Sequence, residues 1–305
     1  MNVSYNRGLL SNLIQTIRPS QWTKNAVVMA AFFFSLGDHY RAHSIVVNDF
    51  YTVLAAALLF CLVSSGVYVI NDIVDAPQDR LHPLKKSRPI AAGYLRPTIG
   101  WILALFLLVA GIGGAYLLSR PFAVVVLAYV VIQMLYVLAF KQVALLDIFV
   151  ISIGFVLRAL AGAVILKVTI SPWLLLCAFL LALFLALCKR RHEKLILHAT
   201  ADSHRPSLAQ YNRHLLDQLI AIVSAAAVVS YAIYTLWPET IRKFNTPALA
   251  ITIPFVMFGI FRYLDLVYRH EQGGYPEKIL LTDPPLLIDL ALYGASILAI
   301  FYFCR

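Results

Sequence analysis

What most limits the fold of this chain is the length of its apolar runs. Nine stretches, at roughly 24–40, 52–70, 99–118, 121–140, 146–167, 172–189, 215–237, 247–265 and 286–304, each come near the ~20 residues that a helix needs to cross a bilayer. In hydrocarbon every backbone N–H and C=O must be bonded inside the segment, so runs of this kind fold as helices. The expectation is an all-α, polytopic integral membrane protein with about nine transmembrane helices. The segments between the runs are too short for a separate soluble domain. Residues 1–305 are therefore read as a single transmembrane domain, with polar loops at about 71–98, 189–214 and 266–285.

Charge placement gives the orientation. Hydrophobic residues make up 61% of the chain and charged residues 13%, which excludes an ordinary soluble domain. Of the 25 Lys and Arg, 18 fall on segments sharing a side with the N-terminus, six fall on the other side, and Arg158 lies within a run. Basic loops stay in the cytoplasm, so the N-terminus and the polar loops are expected there, in a cytoplasmic membrane. The net charge of +10 is then a matter of topology, lipid and phosphate, and nucleic acid is not expected as a partner. Cys61, Cys177, Cys188 and Cys304 lack metal-ligand spacing and are read as packing residues. No cleavable signal peptide is expected from residues 1–25.

The stretch 71–93, NDIVDAPQDRLHPLKKSRPIAAG, follows the second run directly. Asn71 and Asp75 are four apart and share a helix face, with Asp79 next along it. Pro77 lacks an N–H and crowds the preceding turn, so a kink or helix end is expected there, with Asp79 returning to the site from the next segment. Clustered carboxylate and amide oxygens suit Mg²⁺, a hard cation that keeps waters and is shared with phosphates. Arg80, Lys85, Lys86 and Arg88 follow and suit the rest of a polyphosphate. The blander reading is a solvated charged loop. Acids at helical spacing against an apolar run favour a site.

Other polar groups gather at the same edge. Tyr136 and Lys141 end the fourth run and Asp147 opens the fifth. Arg158, eleven residues past Asp147, either faces a wet cavity or forms a structural ion pair with Asp147 or another acid. The sixth run ends in CKRRHEK, which places Lys189, Arg190, Arg191, Glu193 and Lys194 together. Arg191 in particular fits a plain stop-transfer charge. Tyr211 and Arg213 are candidates for a lid. His192, His198, His204 and His214 match no zinc pattern and are expected to be solvated loop residues. Asp283 is expected to cap the last helix. Near the N-terminus, Trp22 is expected as an interface anchor and Arg18 as a partner of lipid headgroups. Gly111, Gly113 and Gly114 are expected to allow close helix packing.

The pattern Asn71-Asp72-x-x-Asp75-x-x-x-Asp79 resembles the first aspartate motif of the UbiA-type prenyltransferase superfamily. The continuation HPLKKSRPIAAG, the string Arg18-Pro19-x-Gln21-Trp22-x-Lys24-Asn25 and the Lys189-Arg190-x-x-Glu193 pattern resemble its polyprenyl-phosphate (decaprenyl-phosphate) phosphoribosyltransferase branch. The resemblance runs along nearly the whole chain. It implies a UbiA-like catalytic bundle with a cavity open to the cytoplasm and laterally to lipid. It implies a pentosyltransferase that moves 5-phosphoribose from 5-phosphoribosyl diphosphate to a polyprenyl phosphate of the cell envelope, with Mg²⁺ as cofactor. Asn71, Asp75 and Asp79 become the metal ligands, and Asp75, Asp79 and Lys189 the catalytic set. Lys24, Asn25, Asp72, Lys85, Arg88, Tyr136, Lys141, Arg158, Arg190 and Glu193 become candidates for substrate binding. Lys24 and Asn25 are implied to face the mouth of the site. Membrane lipids are expected partners, and a homo-oligomer is compatible with the sequence.

One departure bears on the substrate. Many prenyl-diphosphate enzymes of the superfamily carry a second Asp-x-x-x-Asp motif, and none is present at 189–215 or 262–290. The basic Lys189–Lys194 cluster stands there instead. This counts against the first alternative, an aromatic or quinone prenyltransferase using a prenyl diphosphate. The second alternative, a transporter, calls for charges scattered at mid-membrane, whereas these lie at one edge.

Overall fold

The computed structural model describes residues 8–36, 46–81, 85–197, 208, 210–271, 273–274 and 276–303. The described residues form helices and turns. These are α1 (Leu9–Ile17), α2 (Ala26–Leu36), α3 (Val46–Leu81), α4 (Pro97–Leu118), α5 (Arg120–Leu138), α6 (Leu146–Leu166), α7 (Pro172–Leu197), α8 (Arg213–Leu236), α9 (Pro238–Phe244), α10 (Ile253–Arg269), α11 (Pro276–Thr282) and α12 (Pro284–Phe303). Short 3₁₀ turns at Pro19–Asn25, Lys85–Ser87, Phe140–Gln142 and Ala248–Thr252 join several of them. Pro97, Pro121, Pro172, Pro238, Pro254, Pro276 and Pro284 each stand in the first turn of a helix, where the missing N–H costs nothing.

Eight of the described helical segments are long and apolar enough to cross a membrane. The ninth expected span corresponds to α2, whose described part has 11 residues and is entered through the 3₁₀ turn. The protein is an integral membrane protein, and its surface agrees with hydrocarbon as solvent. On α4, Ile102, Leu105, Phe106 and Val109 are exposed, while Gly100, Ala104, Leu107 and Gly111 are buried. On α1, Asn12 and Thr16 turn inward and Leu9 and Leu10 outward.

The expected break at Pro77 does not occur, because α3 runs through Pro77 to Leu81. Proline forfeits one backbone bond there, and contacts from outside hold the last turns. Arg88 binds Asp79, and Arg80 Nε donates to the Ala91 carbonyl at 3.2 Å. Helix α7 likewise continues to Leu197, so residues 189–197 of the region expected as the 189–214 loop are helical.

Two large apolar clusters form most of the core. One joins α2, α3, α4, α5 and the far half of α6. The other joins the start of α6 with α7, α8, α10, α11 and α12. Helix α6 belongs to both and stitches the halves together. Its Gly162 lets α2 come close, since an added Cβ would overlap the Val28 carbonyl oxygen. Gly111 and Gly114 do the same for α3 against α4, as expected. Gly113 does not, for a Cβ there meets nothing within 4 Å.

The contrast can be measured. Gly162→Val should lower the detergent-solubilised melting temperature sharply, at a cost of about 1–3 kcal/mol or more from overpacking, while Gly113→Val should leave it nearly unchanged. Equal melting of the two variants would show that α2 does not pack on α6 through this glycine.

Candidate active site

The acidic end of α3 is the centre of the candidate site. Asn71 Nδ2 donates to Asp75 Oδ2 at 3.0 Å, the one-turn pairing that the spacing predicts. Asp72 and Asp79 lie two turns apart and are 3% and 4% exposed. Two buried carboxylates this close need cations, and Arg88 supplies one to both. Its Nη1 lies 3.1 Å from Asp72 and 2.6 Å from Asp79. Lys85, in the turn before Arg88, is within electrostatic reach of Asp79.

Asp72 has a second partner that the sequence reading assigned to lipid. Arg18 Nε donates to Asp72 Oδ2 at 3.2 Å and Nη2 pairs with Oδ1. Arg18 ends α1 with a left-handed backbone, φ 52°, and this turns its guanidinium back towards α3. Trp22 fixes the turn, donating Nε1 to Ser65 Oγ at 2.9 Å, while Ser65 donates to the Ile17 carbonyl at 2.9 Å. Trp22, expected as an interface anchor, makes a specific contact within the protein. Arg18 sits inside the Arg18–Asn25 string, so the signal was present. What hid it was the 54-residue separation from Asp72.

Lys141 closes the other side. It leaves the Phe140–Gln142 turn and its Nζ pairs with Asp75 Oδ1. Gln210 and Tyr211 brace that turn. Gln210 accepts from the Ala144 N–H at 3.2 Å and donates to the Gln142 carbonyl at 3.3 Å. The Tyr211 hydroxyl accepts from the Leu145 N–H at 2.7 Å and donates to Asp147 Oδ1 at 2.7 Å. Tyr211 is 2% exposed, and burial pushes its hydroxyl pKa up. It is a fixed brace, unlike the lid residue expected. Arg213 is exposed.

Asp147 also receives Arg190 Nε at 2.8 Å, and Arg190 pairs with Glu193. Tyr136 lies within electrostatic reach of Arg190, and Lys189 is half-buried on the neighbouring face. The expected pairing of Arg158 with Asp147 is absent, because Asp147 faces the next helix. Arg158 is 3% exposed and bonds to neutral groups: Asn25 Oδ1 at 2.8 Å, the Gly154 carbonyl at 2.9 Å and the Tyr129 hydroxyl at 2.9 Å. The rings of Phe60, Tyr129 and Phe155 flank its guanidinium at 4.8–5.6 Å. Asn25 donates to Ser64 Oγ at 3.0 Å and Cys61 Sγ at 3.2 Å. The structure thus puts Asn25 in the interior and not at a mouth. Ser64 is two turns before Asn71, about 10 Å deeper along α3. Lys24 stays half-buried at the edge.

The remaining charges are structural. Arg191 is buried, donates to Asp217 at 2.7 Å and lies over the Tyr268 ring at 4.2 Å, so it ties α7 to α8 and α10. Asp283 accepts from the Leu286 N–H at 3.1 Å, the cap expected for the last helix. Arg262 also binds it, holding its carboxyl below the usual range. His192 is not a solvated loop residue. It sits on α7 against Gly273 and Gly274, with Nδ1 buried and without a hydrogen-bond partner among the described residues. His214 is exposed beside Gln218, and His198 and His204 lie outside the described residues.

The donor set fits Mg²⁺ in kind. Asn71 and Asp75 offer hard oxygens side by side, and Asp79 lies one turn on. No group of three or more His, Cys, Asp or Glu is assembled for a metal among the described residues. A metal here would rest on one or two carboxylates together with a substrate's phosphates, the usual arrangement for this ion. An apolar cavity of about 890 Å³ opens between α2, α7, α8, α10 and α12 and reaches Thr169 and, on α9, Thr240 and Lys243; Ala159 is in its wall, and Asn25 and Arg158 are not.

Residues 27–272 match the UbiA prenyltransferase family. The chain is 34% identical to the decaprenyl-phosphate phosphoribosyltransferase of Mycolicibacterium smegmatis, over 97% of this chain and 94% of that protein. It is 32% identical to the protein of that name from Corynebacterium glutamicum, over 97% of this chain and 88% of the relative. Among solved structures, a UbiA homologue from Archaeoglobus fulgidus bound to GPP and Mg²⁺ superposes with a TM-score of 0.71 at 19% identity, covering 95% of this chain and 99% of that one.

The ion-pair geometry predicts a large penalty at Arg88. Arg88→Met leaves Asp72 and Asp79 short of a shared cation and should destabilise the protein by about 3–5 kcal/mol. Adding Asp79→Asn should recover part of the loss in thermal unfolding. A double variant no more stable than the single one would remove this bridge from the account.

Proposed function

The chain belongs to the UbiA prenyltransferase family, and we propose that it transfers 5-phosphoribose from 5-phosphoribosyl diphosphate to a polyprenyl phosphate, releasing diphosphate. It is an enzyme by family. The observation that carries the substrate reading is the balance of charge at the end of α3. Arg18, Arg88 and Lys141 reach the motif from three separate segments, with Lys85 beside them. Arg190, Lys189 and Glu193 stand behind Lys141 through Asp147 and the braced turn. A donor with a diphosphate and a 5-phosphate, meeting a lipid phosphate, needs such a surplus of cations. A prenyl diphosphate alone needs fewer. The relatives named decaprenyl-phosphate phosphoribosyltransferase support the same reading.

The chemistry follows from these residues. The bond between the anomeric carbon and the diphosphate oxygen breaks, and diphosphate leaves with the electron pair. An oxygen of the lipid phosphate forms the new bond from the opposite face. That phosphate is already an anion, so no strong general base is required, and catalysis is positioning and electrostatics. Mg²⁺, held through Asn71, Asp75 and Asp79, would supply charge neutralisation of the leaving group. Lys24, Lys85, Lys141 and Lys189 bind phosphate groups, Arg88 and Arg190 stay on their carboxylates and add to the positive field around them, and Asp72 orients Arg18 and Arg88. Tyr136 and Glu193 set Arg190. Asn25 and Arg158 form the polar floor beneath the motif, and the apolar cavity between α2, α7, α8, α10 and α12 takes the polyprenyl chain. The site faces the cytoplasm, where phosphoribosyl diphosphate is found.

The test supplies phosphoribosyl diphosphate labelled in the ribose, with polyprenyl phosphate and Mg²⁺. Label should pass into the organic-extractable lipid, EDTA should abolish the transfer, and Asp75→Asn should remove most of it while leaving the protein folded. Label that stays in water while a prenyl diphosphate alkylates an aromatic acid in the same preparation would favour the aromatic prenyltransferase. Orientation is tested separately. In a background lacking the native cysteines, Ser87→Cys should label only from the cytoplasmic side and Lys243→Cys only from outside.

A further inference from the structure

We propose that Lys141 is a built-in counterion that holds Asp75 before metal arrives, and that metal binding passes its ammonium to the phosphates of the donor. The inference rests on the metal-dependent reading above. Asp75 uses both carboxylate oxygens inside the protein: Oδ2 accepts from Asn71 at 3.0 Å, and Oδ1 pairs with Lys141. Its side chain is 20% exposed and that of Lys141 is 14% exposed, so water screens the pair only in part. A divalent cation approaching Oδ1 meets the ammonium of Lys141 at the same oxygen. Two like charges cannot share it at contact distance. The ammonium leaves as the metal binds.

Lys141 is the cation built to leave. Arg18 grips Asp72 through two nitrogens, and Arg88 bridges Asp72 and Asp79. Arg18 holds its nearly buried carboxylate as a planar fork, and Arg88 ties two nearly buried carboxylates together through Nη1. Lys141 makes its pairing with Asp75 through a compact ammonium on a flexible four-carbon stem. Its backbone stays in place. Gln210 holds Gln142 and Ala144, and Tyr211 holds Leu145 and Asp147. Leu145 is kept at φ 67°, a conformation that a leucine holds only where its surroundings enforce it. The side chain therefore swings from a fixed base.

A displaced ammonium beside a newly bound metal needs an anion. The diphosphate of the donor provides one, so metal and donor favour each other's binding. Linkage makes the two effects equal in size. Lys141 then opposes metal binding when the site lacks donor and assists it when donor is present. Asp75 never stands uncompensated at the membrane edge.

The two effects have opposite signs, and binding measurements separate them without turnover. Full-length protein in lipid nanodiscs would be titrated with Mn²⁺ alone and with preformed Mn²⁺–diphosphate, each followed by electron paramagnetic resonance. Lys141→Met should bind Mn²⁺ alone about tenfold more tightly than the wild type. It should bind Mn²⁺–diphosphate about tenfold more weakly. Lys141→Gln keeps an N–H for Asp75 should the Met variant fold poorly, and it should show the same split. A purely structural role for Lys141 would move both affinities in one direction or neither, and either result overturns the proposal. Wild-type protein that binds Mn²⁺–diphosphate without the split in the variants sinks the counterion exchange alone. Wild-type protein that binds neither probe sinks the metal-dependent function with it.

Discussion

The structure depends on how it compensates the carboxylates at the end of α3. Asp72 and Asp79 are almost wholly buried, near the end of a helix whose preceding turns are apolar enough to cross a membrane. An isolated ionised carboxylate there would cost several kcal/mol, so each must meet a cation. The partners come from far apart in the chain: Arg18 from the turn after α1, Arg88 from the segment after α3, and Lys141 from the end of α5. Neutralising one helix end therefore draws three segments to one place. The same pairing that makes the burial tolerable builds a cationic rim around an oxygen-rich centre.

Helix α6 carries this organisation through the bundle. At one end Asp147 gathers Arg190 and Tyr211 and so orders the turn that presents Lys141. At mid-length Arg158 sits among neutral oxygens and three aromatic rings, which solvate a guanidinium without a carboxylate. Near the other end Gly162 allows α2 into contact. Polar order at one end and close backbone packing at the other fix the tilt of a single helix. The two apolar clusters are joined through it.

Local regularities in this chain were legible in the sequence, and partnerships across it were not. Apolar runs gave the helices, and the spacing of Asn71 and Asp75 gave their contact, because both depend on a few neighbouring residues. Asp283 as a cap was legible for the same reason. The break at Pro77 was a local inference that failed, since Arg88 and the Ala91 carbonyl restrain the end of α3 from outside the helix. Arg18 and Arg158 failed differently. Each could pair with lipid, water or any acid, and the fold alone decided between them. His192 looked like a loop residue only because the extent of α7 past the charged run was not visible.

The division of labour in the site follows from its two kinds of cation. Arginines take the most buried acids, where a rigid fork holds two oxygens at once and its charge does not depend on pH. A lysine takes Asp75, the more exposed acid, where a compact and mobile charge can be exchanged. Had the types been reversed, the deep pair would rest on single, loosely directed contacts, and the exposed acid would be locked against a metal. Arg18 and Arg88 tie the end of α3 together, and the proposed function leaves the chemistry to the edge where Asn71, Asp75 and Lys141 meet. The phosphorylated substrates proposed for it would place both demands within a few turns of one helix, and the placement of arginine and lysine along that helix suits them.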